Sequence, residues 1–249
     1  MDLPISKLVI ATNENDILHR FWQTGAYEKP AVLSADAKED NTHASGVKET
    51  LSPAMDILIS SNFERLLWFI AYDVYGSSVD GIQNRRHIAG LKVKEWQAAL
   101  KSRGGFSVEQ KVLDAVRAEF SSERVSDAEI LATIRDVYRW PNAASPGLKY
   151  YVLDPHSAVS VTAALRSAEA APGIHYVALL TAHPAKFSHA VEMALAGEKE
   201  FHFNEILPPQ LSGLDHLPRR IIHVHGSDGL AGIRKIIMDE VEKELKKIL

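Results

Sequence analysis

The chain has 249 residues, 46% hydrophobic and 24% charged, enough to bury a sizeable core in one large or two smaller domains and too apolar for wholesale disorder. A net charge of −4 gives no electrostatic case for nucleic acid or an anionic membrane, and a cysteine count of 0 excludes disulfides, thiolate metal sites and a cysteine nucleophile. No run approaches the roughly 18 apolar residues of a membrane helix. The amino terminus has no basic-then-apolar signal pattern, so a cytoplasmic protein without a membrane partner is expected.

Lys7 to Thr12 reads as a buried strand, with Leu8, Val9, Ile10 and Ala11 consecutive. A turn follows, then a helix on Ile17, Leu18, Phe21 and Trp22. Asn13, Asn15 and Asp16 thus stand at a strand's carboxyl end, where open α/β sheets bind ligands. Asn and Asp also cap turns locally, so the residues alone leave both roles open. Ala35 to Thr42 is polar and aperiodic, within a stretch at 24–49 expected to be a mobile surface loop. Ser52-Pro53 initiates a turn. Ser61 or Asn62 then caps a mostly buried helix on Leu66, Leu67, Trp68, Phe69, Ile70 and Val74. Arg65, in its first turn, suits either a phosphate or carboxylate, through its planar fork, or a salt bridge to a neighbouring acid.

Residues 77–90 read as a polar loop carrying Arg85-Arg86-His87, a solvated patch. Three helical segments are expected next. Val93 to Ser102 stops at Gly104-Gly105. Ser107-Val108-Glu109-Gln110 and Ser126-Asp127-Ala128-Glu129 each match a capping box and open the other two. Residues 77–148 therefore read as a helical subdomain, with Leu131, Ile134 and Val137 in its core, and Pro141 to Lys149 as a linker.

Two further runs repeat one arrangement. In Val152-Leu153-Asp154-Pro155-His156-Ser157-Ala158-Val159 a strand ends, Asp154 can cap a helix and Pro155 takes the first helical position. In His175 to Leu180 an apolar run reads as a short buried strand that stops at the hydroxyl of Thr181. Pro184 then opens a helix on Phe187, Ala190, Val191, Ala194 and Leu195. Thr181, His183 and Lys186 sit where strand gives way to helix. Arg220 to Val224 reads as a last strand, and Ile233 to Leu249 as a closing helix with lysines in its final turns. His223 and His225 share one face of that strand, but no third ligand stands at a suggestive spacing, so no metal is expected.

Together these runs resemble one family, the pyridoxal-phosphate-dependent threonine synthases, in its longer branch found in fungi. The similarity is carried by Asp154-Pro155-His156-Ser157-Ala158-Val159 and by Thr181-Ala182-His183-Pro184-Ala185-Lys186-Phe187. It extends to Leu8-Val9-Ile10-Ala11-Thr12-Asn13-Glu14-Asn15-Asp16 with His19-Arg20-Phe21, and to Thr50-Leu51-Ser52-Pro53-Ala54-Met55-Asp56-Ile57 with Ser60-Ser61-Asn62-Phe63-Glu64-Arg65-Leu66, in the family's order. It covers nearly the whole chain, weakly at 26–48 and 77–148. Ser160 departs from the pattern, where glycine is expected, and should stiffen or crowd one turn.

The resemblance implies an α/β fold, part of a type II pyridoxal-phosphate enzyme, with parallel strands, flanking helices and a helical insertion. Residues 1–76 would complete the cofactor-domain sheet and 149–249 would form the carboxy-terminal α/β segment. The implied activity is conversion of O-phosphohomoserine to threonine and phosphate, with pyridoxal 5'-phosphate as cofactor. Thr181 is implied as the hydroxyl that meets the cofactor's pyridine nitrogen. Asn13, Asn15, Asp16, Arg20, Arg65, His156, His183 and Lys186 are candidates for holding substrate; His156 and His183 fit a hydrogen-bonded core equally well. The family's cofactor lysine and its "GNFGD" phosphate loop lie earlier in its sequence, and no such loop occurs here. No catalytic residue is therefore assigned, and the chain by itself is expected to be inactive without an amino-terminal half as partner. The alternative is a non-catalytic, threonine-synthase-like protein with a binding or regulatory role. From about Tyr150 onward the chain is expected to be its better-ordered part, with strands ending at Leu153, Leu180 and Val224.

Overall fold

The computed structural model describes residues 4–29, 46–140, 150–219, 221–225, 227 and 229–248. Residues 30–45 of the loop expected at 24–49, and the expected linker at Pro141–Lys149, lie outside the described residues; residues 26–28 of that expected loop are a strand instead. Two compact units emerge, one ending at Leu207 and the other spanning Pro208–Leu249.

The first unit opens with strand β1 (Leu8–Thr12), which leads into helix α1 (Ile17–Thr24). Gly25 closes α1 with φ 76°, and its N–H meets the Phe21 carbonyl at 2.7 Å. Strand β2 (Ala26–Glu28) starts on the next residue. The same device recurs later. Helix α2 (Ser61–Gly76) is followed by the long helix α3 (Ile82–Arg103), which Gly104 closes at φ 78°, and β3 (Gly105–Ser107) follows at once. A left-handed glycine turns the chain at each helix end, so β2 and β3 meet as an antiparallel pair, Tyr27 opposite Phe106. Gly105 is needed there for space: a Cβ would stand 2.7 Å from the Glu28 side chain and 2.9 Å from the Tyr27 carbonyl.

Phe21, Tyr27, Phe63 and Phe106 converge edge-on or tilted, with Phe21 and Phe63 centroids 5.0 Å apart. They form the centre of one core, completed by α2, α3 and helix α4 (Gln110–Glu119). Arg117 donates to the Trp22 and Gln23 carbonyls at 2.9 and 2.7 Å, satisfying acceptors that the end of α1 leaves open.

Strand β4 (Phe120–Arg124) then pairs in parallel with β1, from Leu8 opposite Phe120 to Thr12 opposite Arg124. Helix α5 (Asp127–Arg139) starts at the expected capping box: Ser126 Oγ accepts from the Glu129 N–H, and the Glu129 carboxylate accepts from the Ser126 N–H at 2.8 Å. A second core lies between α5, helix α6 (Pro155–Ala170) and helix α7 (Ser188–Leu195), filled by Ile130, Ile134, Val159, Val191 and Leu195. The second unit holds helix α8 (Gly229–Ile248), with Lys246 and Lys247 in its last turn. The fold is α/β with a parallel pair and flanking helices. No helix among the described residues is long and apolar enough to cross a membrane.

Several expectations are overturned. The runs 152–153, 175–180 and 221–224 are not strands among the described residues: they find no ladder partner. Val152 and Leu153 are buried by helices instead, whereas Val177 and Leu179 are each 75% exposed. An apolar run becomes a strand only where another backbone edge receives it. Conversely β1 is paired, so the better-organised strand lies early in the chain, although Leu8 is exposed rather than buried. Residues 82–90 are the first turns of α3, not a loop. The Ser107 box does not form, because Ser107 belongs to the β3 ladder and the helix begins at Gln110. The helix at 61 has Ser60 at its N-cap position, one residue earlier than expected and without a side-chain cap bond, and Phe69 on it is exposed. Pro184 opens a single 3-10 turn, and α7 begins after it, at Ser188.

Candidate functional site

Asp154 organises the start of α6. Buried, with backbone in the extended region, it accepts the N–H groups of His156 and Ser157 at 2.9 and 3.3 Å, the N-cap role its sequence position implies. Its oxygens also take His156 Nδ1 at 2.9 Å and the Ser157 hydroxyl. Burial alone would push the Asp154 carboxyl up. The hydrogen bonds from His156 and Ser157 outweigh that and hold it below the usual carboxylate range.

The other nitrogen of His156, Nε2, accepts the Ala54 N–H at 3.1 Å. An accepting Nε2 places the ring proton on Nδ1, facing Asp154. The ring also lies against Phe187, centroids 4.3 Å apart. His156 thus ties together the Pro53–Met55 turn, the start of α6 and the Thr181–Phe187 run. Ser157 adds a further tie, its Oγ accepting the Thr181 N–H at 3.1 Å.

The two runs singled out in the sequence are therefore joined, and the join leaves particular groups outward. Thr181, His183 and Lys186 are exposed. The Thr181 hydroxyl and Lys186 Nζ have no hydrogen-bond partner or ion pair among the described residues. His183 Nδ1 accepts the Ala185 N–H at 3.2 Å, which leaves its Nε2 free to face a ligand.

Asn13 and Asn15 are buried in a second network. Asn13 Nδ2 lies within 2.8–3.4 Å of Thr50 Oγ1, Ser52 Oγ, the Ser52 carbonyl and Asp56 Oδ1. Its Oδ1 accepts the Asn15 N–H at 2.9 Å, the local turn that such residues make. Asn15 exchanges two side-chain bonds with the backbone of Lys48, at 2.8 and 2.9 Å, and donates a third to Asp56 Oδ1 at 2.9 Å. Asp16 pairs with Arg20 at 3.0 Å and with Arg124 at 3.4 Å, and Arg20 also donates to the Glu28 carbonyl. Arg65 stands apart, exposed on α2 and bonded to Asn62 of its own turn. The structure brings His156 together with the Thr181–Phe187 run. Asn13 and Asn15 gather around the Ser52–Asp56 turn, and Asp16 and Arg20 form an ion pair. Ser157, Ala54 and Asp56 were not among the sequence candidates. All three lay in runs that carry the family resemblance, and Ser157 had a further signal, its place in the first turn after a capping Asp-Pro.

No group of three metal-binding side chains occurs among the described residues.

Residues 157–237 match the family model "Threonine synthase, C-terminal". A threonine synthase of Eremothecium gossypii is 44% identical over 243 residues, which cover 97% of this chain and 43% of that protein. The crystal structure of threonine synthase from yeast superposes with a TM-score of 0.76 at 39% identity, covering 99% of this chain and 43% of that one. The structure of a pyridoxal-phosphate-bound threonine synthase from Brucella melitensis does so with a TM-score of 0.55 at 38% identity, over 78% of this chain and 33% of that one. The chain spans less than half the length of these relatives. Over nearly its whole length the chain is similar to the carboxy-terminal part of threonine synthases.

Proposed function

We propose that the chain is the carboxy-terminal part of an enzyme converting O-phospho-L-homoserine and water to L-threonine and phosphate, a carbon–oxygen lyase of threonine biosynthesis with a type II fold. The observation that supports this most directly is the join between the two motifs. Ser157, fixed by Asp154, holds the Thr181 backbone and His156 packs on Phe187, while the Thr181 hydroxyl stays exposed and unpartnered.

That hydroxyl suits the pyridine nitrogen of pyridoxal 5'-phosphate. When bound, the cofactor supplies an electron sink for negative charge beside the substrate's amine-bearing carbon. A neutral hydroxyl leaves the ring nitrogen less protonated than a carboxylate would. Thr181 thereby tempers the sink and favours elimination and replacement over transamination. His183 Nε2 and Lys186 Nζ, both exposed beside it, are the donors we assign to the substrate's anionic groups. Asn13, Asn15, Asp16, Arg20 and His156 have protein partners already, and in this reading they shape the site's wall around the Ser52–Asp56 turn. Arg65 remains a substrate-phosphate candidate through its exposed guanidinium. The cofactor-bearing lysine and the phosphate cradle are assigned to sequence outside these residues, which contain no GNFGD run. The proposal sets the enzyme in the cytoplasm.

The test is reconstitution. The 249-residue polypeptide given pyridoxal phosphate and O-phosphohomoserine should release no phosphate and gain no absorbance at the violet edge of the visible. Joined to the corresponding amino-terminal half of a family member, it should do both. Turnover by the polypeptide alone at the rate of a full-length relative would overturn this division of labour, and no turnover in the joined protein would overturn the assigned reaction.

A further inference from the structure

Ser157 and Ser160 lie three residues apart on α6 and so share a face. The Ser157 hydroxyl donates to Asp154 and accepts the Thr181 N–H at 3.1 Å. The Ser160 hydroxyl lies 3.0 Å from the Leu179 carbonyl and 2.9 Å from the Ser157 carbonyl, and shares its one proton between them. One serine therefore holds the chain just after Leu180 and the other just before it. No strand ladder helps them, because residues 175–180 pair with no strand among the described residues. The helix backbone cannot substitute either: N–H groups inside a helix are spent on carbonyls four residues earlier, so only side chains on this face can reach the segment.

We propose that Ser157 and Ser160 form a latch of two positioning residues that sets where the Thr181 hydroxyl stands, and through it the hydrogen bond made to the cofactor's ring nitrogen. This rests on the reading of Thr181 given above. The two halves differ. Ser157 is buried at 1% exposure and fixed by Asp154, so it anchors the latch. Ser160 is half-buried and touches only carbonyl oxygens, so it is the adjustable half. A hydroxyl at position 160 supplies the Leu179 carbonyl with a donor that glycine lacks.

The experiment uses the holoenzyme containing this chain, loaded with pyridoxal phosphate labelled with nitrogen-15 in the ring, whose chemical shift reads the ring-nitrogen hydrogen bond. Thr181→Val should move that resonance. Ser160→Ala should move it in the same direction by a smaller amount, lower kcat more than it changes KM, and speed exchange of the Thr181 amide roughly fivefold, as loss of one net hydrogen bond implies. Ser160→Thr, which keeps the hydroxyl, should restore all three. A resonance that moves in Thr181→Val but stays at the wild-type position in Ser160→Ala overturns the latch and leaves the Thr181 reading intact. A resonance unmoved by Thr181→Val removes that reading, and the positioning role falls with it. Failure of Ser160→Thr to restore the shift also counts against the latch, because the hydroxyl is then not what matters.

Discussion

His156 Nε2 accepts the backbone N–H of Ala54 from 3.1 Å, across 102 residues of chain. The ring is buried, bonded on its other side to Asp154 and packed on Phe187, so every edge has a task. His156→Ala should lower unfolding free energy by roughly 2–4 kcal/mol, combining a cavity with an unpaired buried amide. Urea unfolding gives the magnitude, and exchange at the Ala54 amide locates it. A loss under about 0.5 kcal/mol, the range of ordinary surface changes, would mean that the ring is not the tie described.

Asp154 caps α6 and receives His156 and Ser157 besides. Asp154→Ala should cost about 2 kcal/mol near neutral pH, since it removes a cap and strands buried donors. The sign with pH follows from the depressed folded-state pKa. The carboxylate's contribution is fully present above its unfolded value of about 3.9 and is lost as pH falls through the lower folded value. The stability gap between wild type and Asp154→Ala should therefore shrink in acid below that range. A gap that widens in acid would contradict the assignment.

Thr181→Val keeps the volume and removes only an exposed hydroxyl with no protein partner. Stability should change by less than about 0.5 kcal/mol. Turnover of the joined enzyme should fall about tenfold to a hundredfold, as when one hydrogen bond to a reacting system is deleted. An unchanged rate with a lowered melting temperature would make Thr181 a structural residue.

Hydrogen exchange should separate two stretches that look alike in the sequence. Amides of β1 that face β4 should exchange more slowly than those of Tyr176–Leu180, which have no ladder. Equal protection across both stretches in the 249-residue polypeptide would require a strand partner for the second.

What was legible in the sequence was local. Ser126 with Glu129, and Asp154 with Pro155, mark helix starts through contacts made within three residues, and both formed. Ser107 carried the same pattern and failed, because the β3 ladder to β2 claimed it first. Strand β4, Phe-Ser-Ser-Glu-Arg, has neither an apolar run nor alternation; it is a strand because β1 presents an edge to it. The site followed the same division. Thr181, His183 and Lys186 were expected where a strand meets a helix; the strand is absent, and the bonds that hold Leu179 and Thr181 come from Ser160 and Ser157, a reach that depends on a tertiary approach. Asn13 and Asn15 were read as open to ligand or turn; the turn and its neighbours fill them here.

The parallel pair of β1 and β4 also has a consequence in time. Leu8 meets Phe120 only after more than a hundred further residues have been made. At roughly 5–20 residues per second, translation leaves β1 without that edge for on the order of ten seconds. Through that interval the edge of Leu8-Val9-Ile10-Ala11 that receives β4 is unpaired. Synthesis of this region therefore passes through a window in which β4 does not yet cover that edge against other chains.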